Sequence, residues 1–344
     1  MKCRRLDLGL LSFVLLIGMV AYAPQAKAQS PQAGKRNFKP RVVTSFILDS
    51  SESQYPESLA IDPLGNIYVS LTDSWTDPSI PNVGHIVEVT PGGKQDVVAT
   101  VPTPGGGFLL GVAFDEDGRL YVNAVSDTPG VYRIGHGGSV TCVLALPAGS
   151  FPNGLAFHGR DMYVTDSNGA IWKKGPRDTA APTTPWFQDP LISPGISGGL
   201  GANGIAFYRG EMYIGVYDAG PLGDSADSGR IVRLPIKYDG SPGDPVVVVQ
   251  DSELQLVDGI AFDITGTLWV VMNYPVGIGT VARDGTFTLL SNDPDWLDDP
   301  TMVAFGATPM TRTTIFLTNG GGTTLVPNVT AVKADVAGLP LPVE

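Results

Sequence analysis

Asn153-Gly154-Leu155-Ala156-Phe157 is a stretch that this chain repeats, and the repetition decides the fold. It returns almost unchanged as Asn203-Gly204-Ile205-Ala206-Phe207 and as Asp258-Gly259-Ile260-Ala261-Phe262. Glu57-Ser58-Leu59-Ala60-Ile61 follows the same pattern with a longer acid in first place. Each copy places one oxygen-bearing side chain just before an apolar run, which indicates one structural unit used several times.

Two looser copies, which begin at Leu110 and Thr301, complete the series. Consecutive copies are therefore about 43 to 55 residues apart, a period typical of four-stranded propeller blades. After each copy come a turn and a β-rich run, such as Ile67-Tyr68-Val69-Ser70. A glycine-rich hairpin then joins two further strands, as around Pro91-Gly92-Gly93.

No stretch after the N-terminus has the periodicity of a long amphipathic helix. The sequence thus predicts an all-β fold, a six-bladed β-propeller with four antiparallel strands per blade. We expect residues 42–47 to pair with residues 328–332. An N-terminal strand would then complete the last blade and cover its open edge.

The first 28 residues have the three segments of a secretory signal peptide. Lys2, Arg4 and Arg5 precede an apolar run, and Ala26-Lys27-Ala28 is a small-x-small cleavage site. The apolar run of about 14 residues is shorter than the roughly 20 needed to span a bilayer, so no membrane span is expected after cleavage. We expect a secreted or periplasmic monomer, built from the following parts: signal peptide 1–28, flexible leader 29–40, propeller 41–335 and tail 336–344.

Charge and cysteine content narrow the range of partners. The net charge is −12, and loss of the signal peptide would make the protein still more acidic. Such a chain repels phosphate backbones, so nucleic acid is excluded as a partner, whereas cation binding is favoured. Cys142 is the one cysteine outside the predicted signal peptide, and its place on an apolar strand predicts a core position.

The first positions of four repeats carry the candidate metal site: Glu57, Asn153, Asn203 and Asp258. A hairpin turn is the alternative interpretation of Asn-Gly and Asp-Gly, but the hairpin turns of each repeat come about eight residues later. In a propeller these positions ring one mouth of the central channel. Two carboxylates and two amide oxygens are suitable ligands for calcium or another divalent cation.

On these four residues the chain resembles the senescence-marker-protein/gluconolactonase family, including regucalcin, and its relatives diisopropyl-fluorophosphatase and the paraoxonases. The resemblance extends over roughly residues 42–333. It implies one calcium on the propeller axis, bound by Glu57, Asn153, Asn203 and Asp258. It also implies hydrolysis of a small-molecule lactone, ester or phosphotriester, with Asp258 as general base or nucleophile and the metal polarising the substrate.

Two departures from the family pattern bear on the substrate and the mechanism. The stretch at residues 105–110 lacks the Arg and Asn that hold a sugar in gluconolactonases, which favours a less polar substrate. The chain has three histidines, and only His85 is expected near the metal face, so we expect a mechanism without a histidine pair. Loops between the second and third strands supply candidate substrate-binding residues, which are Trp75, Tyr217 and Tyr274.

Other functions remain open at this level, because a propeller fold does not determine an activity. One alternative is a non-catalytic binding module in which calcium only stabilises the ring. Another is a strictosidine-synthase-like or lyase-like relative on the same ring.

Overall fold

The computed structural model describes residues 36–47, 54–72, 83–195, 199–218, 229–324 and 326–341. The predicted signal peptide and Trp75 lie outside the described residues. Within these ranges no helix is long and apolar enough to cross a membrane. Helical structure there consists of two 3₁₀ turns, at His136–Gly138 and Pro190–Ile192.

The described residues form 24 β-strands. In chain order they are β1 (Arg41–Ser45), β2 (Tyr55–Ile61), β3 (Ile67–Thr72), β4 (Val83–Val89), β5 (Gln95–Pro102), β6 (Phe108–Phe114), β7 (Leu120–Val125), β8 (Gly130–Ile134), β9 (Val140–Ala145), β10 (Pro152–His158), β11 (Asp161–Asp166), β12 (Ala170–Lys174), β13 (Phe187–Gln188), β14 (Ala202–Tyr208), β15 (Glu211–Val216), β16 (Gly229–Pro235), β17 (Val246–Asp251), β18 (Val257–Phe262), β19 (Leu268–Met272), β20 (Gly277–Val281), β21 (Phe287–Ser291), β22 (Pro300–Phe305), β23 (Thr314–Asn319) and β24 (Asn328–Lys333).

The strands form six antiparallel four-stranded sheets, which confirms the predicted all-β, six-bladed propeller. Five blades are consecutive: β2–β5, β6–β9, β10–β13, β14–β17 and β18–β21. The sixth has the order β1-β24-β23-β22, so the N-terminal strand closes it as predicted. Val42 pairs with Thr330, and Thr44 pairs with Val329. The innermost strand β22 contacts β2, which closes the ring.

The core lies between blades rather than in one central mass. Each of six buried apolar clusters combines side chains of two adjacent blades. Between the third and fourth blades, for example, Tyr163 and Ile171 pack with Phe207 and Met212. The second strands are buried on both faces, and β23 is buried along its whole length. Apolar burial of this kind is the main favourable contribution to folding.

Aspartates fix the turns that follow three of the innermost strands. Asp115 Oδ1 accepts the backbone N–H groups of Asp117 and Arg119, at 3.0 and 2.9 Å. Asp62 and Asp263 make the same pair of bonds in their own turns. The turn glycines, such as Gly118 with φ 74°, adopt the left-handed conformation that glycine takes at low cost. Because these turns follow the innermost strands, they lie at the opposite end of those strands from the candidate metal site.

Cys142 corrects one expectation. The apolar pattern of its strand predicts a core position, but the cysteine is exposed. It lies on β9, the outermost strand of its blade, which has a sheet neighbour on one side alone. A strand at the edge of a sheet buries less of its surface, so local hydrophobicity overestimates its burial.

Candidate functional site

The four predicted metal ligands stand near the start of four innermost strands. In each strand the pairing with the second strand shifts register at that point. The shift lies between Pro152 and Leu155 in β10 and between Val257 and Ile260 in β18. A β-bulge there releases the residue from the regular ladder and redirects its side chain. All four are buried, with relative exposures of 9% for Glu57, 4% for Asn153, 3% for Asn203 and 6% for Asp258. We call these four residues the axial quartet.

The glycine that follows Asn153, Asn203 or Asp258 allows close approach between blades and does not form a turn. A Cβ on Gly154 would lie 2.5 Å from the carbonyl oxygen of Asn203. On Gly204 it would lie 2.2 Å from the carbonyl oxygen of Asp258. Distances below about 3 Å are not tolerated, so glycine is required where one blade meets the next. The hairpin interpretation of these dipeptides is therefore wrong, and their glycines set the spacing of the innermost strands.

Polar side chains on the second strands hold the backbone carbonyls of the quartet. Asn123 Nδ2 donates to the carbonyl oxygen of Asn153 at 2.7 Å, and Thr165 Oγ1 donates to that of Asn203 at 2.5 Å. Thr318 Oγ1 donates to the carbonyl oxygen of Glu57 at 3.1 Å. These bonds run from one blade to the next, so they fix the backbone of the quartet.

The structure brings the side chains of three quartet members into direct electrostatic reach. The side chain of Asn203 hydrogen-bonds to the Asp258 carboxylate, and Glu57 raises the pKa of Asp258 by charge repulsion. Asn153 Nδ2 donates to Ser167 Oγ at 3.1 Å, which leaves its Oδ1 on the other side of the amide group. The remaining two repeat positions carry no charge, since they are the buried Leu110 and Thr301.

Both carboxylates of the quartet are held in an unfavourable environment for a charge. Burial raises the pKa of Glu57 to about 8. Burial also raises the pKa of Asp258 well above its ordinary value, the charges of Glu57 and Asp299 raise it further, and the Asn203 hydrogen bond opposes the shift. Neither carboxylate forms an ion pair with a described lysine, arginine or histidine.

The donor set fits a hard cation. Calcium prefers carboxylate and amide oxygens, and the quartet offers two carboxylates and two amide side chains. Among the described residues no group of three or more His, Cys, Asp and Glu side chains could hold a metal ion. A metal in the axial quartet would therefore depend on the oxygens of Asn153 and Asn203. Asn123 Oδ1 is also buried and has no hydrogen-bond partner in the described part of the chain, so a further unsatisfied oxygen lies beside Asn153.

Four polar residues at the same end of the propeller form a second group, which we call the rim: Tyr55, Tyr217, Asn273 and Asp299. Tyr55 Oη donates to Asp299 Oδ2 at 2.7 Å, and Tyr217 Oη donates to Asn273 Oδ1 at 2.7 Å. The side chain of Asn273 hydrogen-bonds to Asp299, so the four residues form one continuous network. Burial raises the pKa of Asp299 and of both tyrosines, and the Asp258 charge contributes to the shift at Tyr217.

Sequence reasoning identified Tyr217 but missed the other rim residues as site members. A signal for two of them is present in the repeat, because Tyr55 and Asp299 each stand two residues before a motif position. Asp299 has φ 62°, a left-handed conformation that is uncommon for residues other than glycine and more often found for Asp and Asn. At the same repeat position in the second and third blades stand Phe108 and Phe151, whose ring centroids are 6.3 Å apart.

The remaining predicted residues are placed as follows. Tyr274 lies in the loop between β19 and β20, where its side chain is 61% exposed. His136 lies in a 3₁₀ turn, and His158 ends β10, where it stacks on Phe207 at 5.0 Å. Both are at the end of the blade away from the axial quartet, as expected. None of the three histidines is among the groups that shift the pKa of Glu57 or Asp258.

Comparison with known proteins identifies propellers as the structural relatives. No protein-family model and no curated protein matches the sequence. A candidate gluconolactonase of known structure matches with 16% identity, a TM-score of 0.60, and coverage of 89% of this chain and 96% of the other. Regucalcin from Agrobacterium tumefaciens, described as a calcium-binding protein, matches with 17% identity, a TM-score of 0.61, and coverage of 89% and 97%.

A third structural relative has a different described role. It is an auxiliary nutrient-binding protein from Bacteroides ovatus, with 12% identity, a TM-score of 0.61, and coverage of 88% of this chain and 77% of the other. The first two relatives carry names that agree with the resemblance drawn from the axial quartet. At these identities the likeness shows a shared fold, the β-propeller.

Proposed function

We propose that this protein is a calcium-dependent hydrolase of a lactone, an ester or a phosphotriester. One observation carries the proposal: Glu57 and Asp258 are buried together at the channel mouth without a described basic partner. Burying two ionised carboxylates in this way costs several kcal/mol unless a cation or a proton compensates, and a bound cation allows both to stay ionised. The names of the gluconolactonase-like and regucalcin neighbours support the same class of function.

The axial quartet would hold the ion through the carboxylates of Glu57 and Asp258 and the amide oxygens of Asn153 and Asn203. Calcium, when bound, supplies a positive charge that polarises the carbonyl or phosphoryl oxygen of the substrate. Asp258 has two carboxylate oxygens, so one remains to accept a proton from water or to act as nucleophile. The Asn203 hydrogen bond to Asp258 keeps that carboxylate in one orientation.

The rim would orient groups that face the substrate. Asp299 accepts the Tyr55 hydroxyl and, through Asn273, fixes the Tyr217 hydroxyl. Both tyrosine hydroxyls donate their hydrogen bonds within this network. Phe108 and Phe151 lie on the other side of the mouth and give it an apolar wall, which suits a substrate less polar than a sugar lactone.

The activity is tested with a panel of lactones, aryl esters and phosphotriesters, each assayed with added calcium and with a chelator. We expect turnover of at least one class that is lost on chelation and restored by calcium. We also expect the melting temperature to rise with calcium, because a ligand that binds only the folded state stabilises it. A protein with neither calcium-dependent turnover nor calcium-dependent melting would contradict the proposal.

Non-catalytic binding is the second candidate, and the nutrient-binding neighbour favours it. In that case calcium would stabilise the ring without any hydrolysis. A rise in melting temperature together with no turnover across the panel would select this alternative.

Export completes the proposal. We infer that residues 1–28 are removed and that the mature protein begins near Gln29 as a soluble, secreted or periplasmic monomer acting on a small-molecule substrate. N-terminal sequencing of protein collected from the periplasm or the medium decides this. An intact Met1 on membrane-associated protein would contradict it.

A further inference from the structure

We propose a second binding site, separate from the axial quartet, that takes a small organic carboxylate with a flat apolar body. It is a cavity of about 280 Å³ between the fourth and fifth blades. The turn after β14 and the turn between β20 and β21 form its edge, so it opens at the end of the blades opposite the axial quartet. We call it the arginine cavity, after Arg209, Arg233 and Arg283, which line it.

The positive charge of this cavity is unusual for the chain. The protein has a net charge of −12, yet three arginines converge on one cavity of modest volume. Arg233 is neutralised, since its Nη1 lies 3.2 Å from Glu211. Arg209 and Arg283 form no ion pair with any described carboxylate. Glu211 and Asp284 are the carboxylates among the lining residues, so the three arginines leave one positive charge in excess.

Both of these guanidinium groups are held at the same aromatic ring. The Cζ atoms of Arg209 and Arg283 lie 5.3 and 5.9 Å from the centre of the Tyr208 ring. Tyr208 in turn stacks on Phe262, with centroids 5.0 Å apart and an angle of 26°. Each guanidinium gains from the ring, and each carries a positive charge that attracts an anion in the cavity.

The neighbouring blade junction shows which of these features the fold itself requires. Between the third and fourth blades, Lys173 pairs with Asp161 at 2.7 Å, and these two residues occupy the repeat positions of Arg233 and Glu211. The ion pair is thus a feature of the repeat. Gly159 stands there where the fourth blade has Arg209, and both residues have φ 53°.

The two junctions also differ in the side chains that occupy the space between the blades. Trp186 fills the junction of the third and fourth blades, where its Nε1 donates to the carbonyl oxygen of Gly240 at 3.1 Å. The cavity between the fourth and fifth blades is lined instead by aliphatic side chains such as Val246 and Val248. Because Trp186 fills the equivalent space between the third and fourth blades, the fold itself does not require Arg209 and Arg283 at this position.

The ligand class follows from this lining. Arginine pairs in a bidentate manner with carboxylates, so the two free guanidinium groups define the anionic end. The aromatic and aliphatic walls define an apolar body. A volume of about 280 Å³ is at the small end of ligand sites, which suits a single ring rather than a larger molecule.

The test uses sodium benzoate as the probe, titrated calorimetrically into the mature protein at low ionic strength. We expect saturable one-to-one binding in about the millimolar range. Benzyl alcohol, which lacks the charge, and benzylamine, which reverses it, should not bind. The double variant Arg209→Glu/Arg283→Glu should weaken benzoate binding by more than tenfold.

A charge-matched control is Arg177→Glu/Arg312→Glu, which changes two exposed arginines outside the cavity and should keep benzoate affinity within twofold. If the first double variant does not fold, Arg283→Gln replaces it, because Arg283 is an exposed turn residue. Absence of saturable benzoate binding up to roughly 10 mM would overturn the proposal. Equal affinity in the cavity variant and the natural protein would also overturn it. Neither result depends on hydrolysis, so the proposed function is tested separately.

Discussion

Two groups of carboxylates, at opposite ends of the innermost strands, are buried to a similar extent but have different numbers of hydrogen-bond partners. In the turns, Asp115 and Asp263 are 5% and 3% exposed, and in the axial quartet Glu57 and Asp258 are 9% and 6% exposed. The turn carboxylates accept backbone N–H groups and side-chain donors. Of the two axial carboxylates, Asp258 accepts one side-chain hydrogen bond, from Asn203, and none is described for Glu57.

The turn group shows what a buried carboxylate needs in order to stabilise a fold. Asp115 accepts Arg119 Nε at 2.6 Å and Tyr121 Oη at 2.9 Å in addition to two backbone groups. Hydrogen bonds to a charged group each contribute about 1.5–3 kcal/mol. The axial group lacks such partners, and perturbed, poorly satisfied carboxylates in a cleft are typical of functional sites. Burial alone therefore does not distinguish a structural acid from a functional one, whereas the hydrogen-bond partners do.

The largest expected effect is on turnover in Asp258→Asn. This change keeps an oxygen for calcium and removes the proton acceptor, so turnover should fall by roughly 10²–10⁴ while calcium affinity falls modestly. Steady-state kinetics and calcium calorimetry measure the two effects. Asp263→Asn is the matched control from the turn group and should retain turnover per folded molecule. Equal losses of turnover in both variants would remove the distinction between the groups.

The same turn variant should show the largest loss of stability. Asp263 accepts Thr265 N at 2.8 Å and Trp269 Nε1 at 3.2 Å, so an amide there would set one donor against another. We expect the free energy of unfolding to fall by about 1–3 kcal/mol, measured by urea denaturation. Asp284→Asn, in an exposed turn of the same blade, should have a much smaller effect. Unchanged stability in Asp263→Asn would show that the turn hydrogen bonds are dispensable.

Asp299 is intermediate between the two groups, because it lies near the axial quartet but accepts Tyr55 and Asn273. In Asp299→Asn one of those two donors loses its acceptor, and Tyr217 is then less firmly held. We expect kcat/KM to fall by about tenfold, which corresponds to about 1.4 kcal/mol, with calcium affinity unchanged. Asp293→Asn, an exposed residue nearby in sequence, is the control. A large loss of calcium affinity in Asp299→Asn would place Asp299 among the ligands instead.

The smallest effect is a pH dependence of stability in metal-free protein. The pKa of Glu57 is raised to about 8 in the folded protein, above its ordinary value of 4.5. Between these values the folded state binds more protons, so the free energy of unfolding should fall as pH rises through this window. One such group contributes a slope of about 1.4 kcal/mol per pH unit at most.

Urea denaturation in the presence of a chelator, repeated at several pH values, measures this slope. Glu57→Gln should flatten it, and so should saturating calcium. A stability that instead rises with pH in the chelated natural protein would contradict the assigned sign.

The repeat in the sequence predicted much of this architecture. The spacing of the motif gave six blades, and the apolar run at residues 42–47 indicated the closing strand, now seen as β1 paired with β24. The chemistry of the axial quartet was visible because its four members occupy one repeat position. Local periodicity is a property of neighbouring residues, so it can be recognised without tertiary contacts.

Other features depend on contacts between residues that are far apart in the chain. The rim joins Tyr55 to Asp299 across 244 residues of sequence. The need for Gly154 appears only when the carbonyl of Asn203 lies 2.5 Å from where its Cβ would be. Cys142 is exposed although its strand is apolar, because that strand is the outermost of its blade.

The sequence by itself thus determined the repeated unit, the number of blades and the oxygen donors at one repeat position. The tertiary structure alone decided which side chains form hydrogen bonds to those oxygens and which glycines allow close contact between blades. It also decided where a cavity remains between blades. The physical reason is that each of these depends on the packing of one blade against the next. That packing is specified by surfaces about 50 residues apart, or by the two ends of the chain where the ring closes.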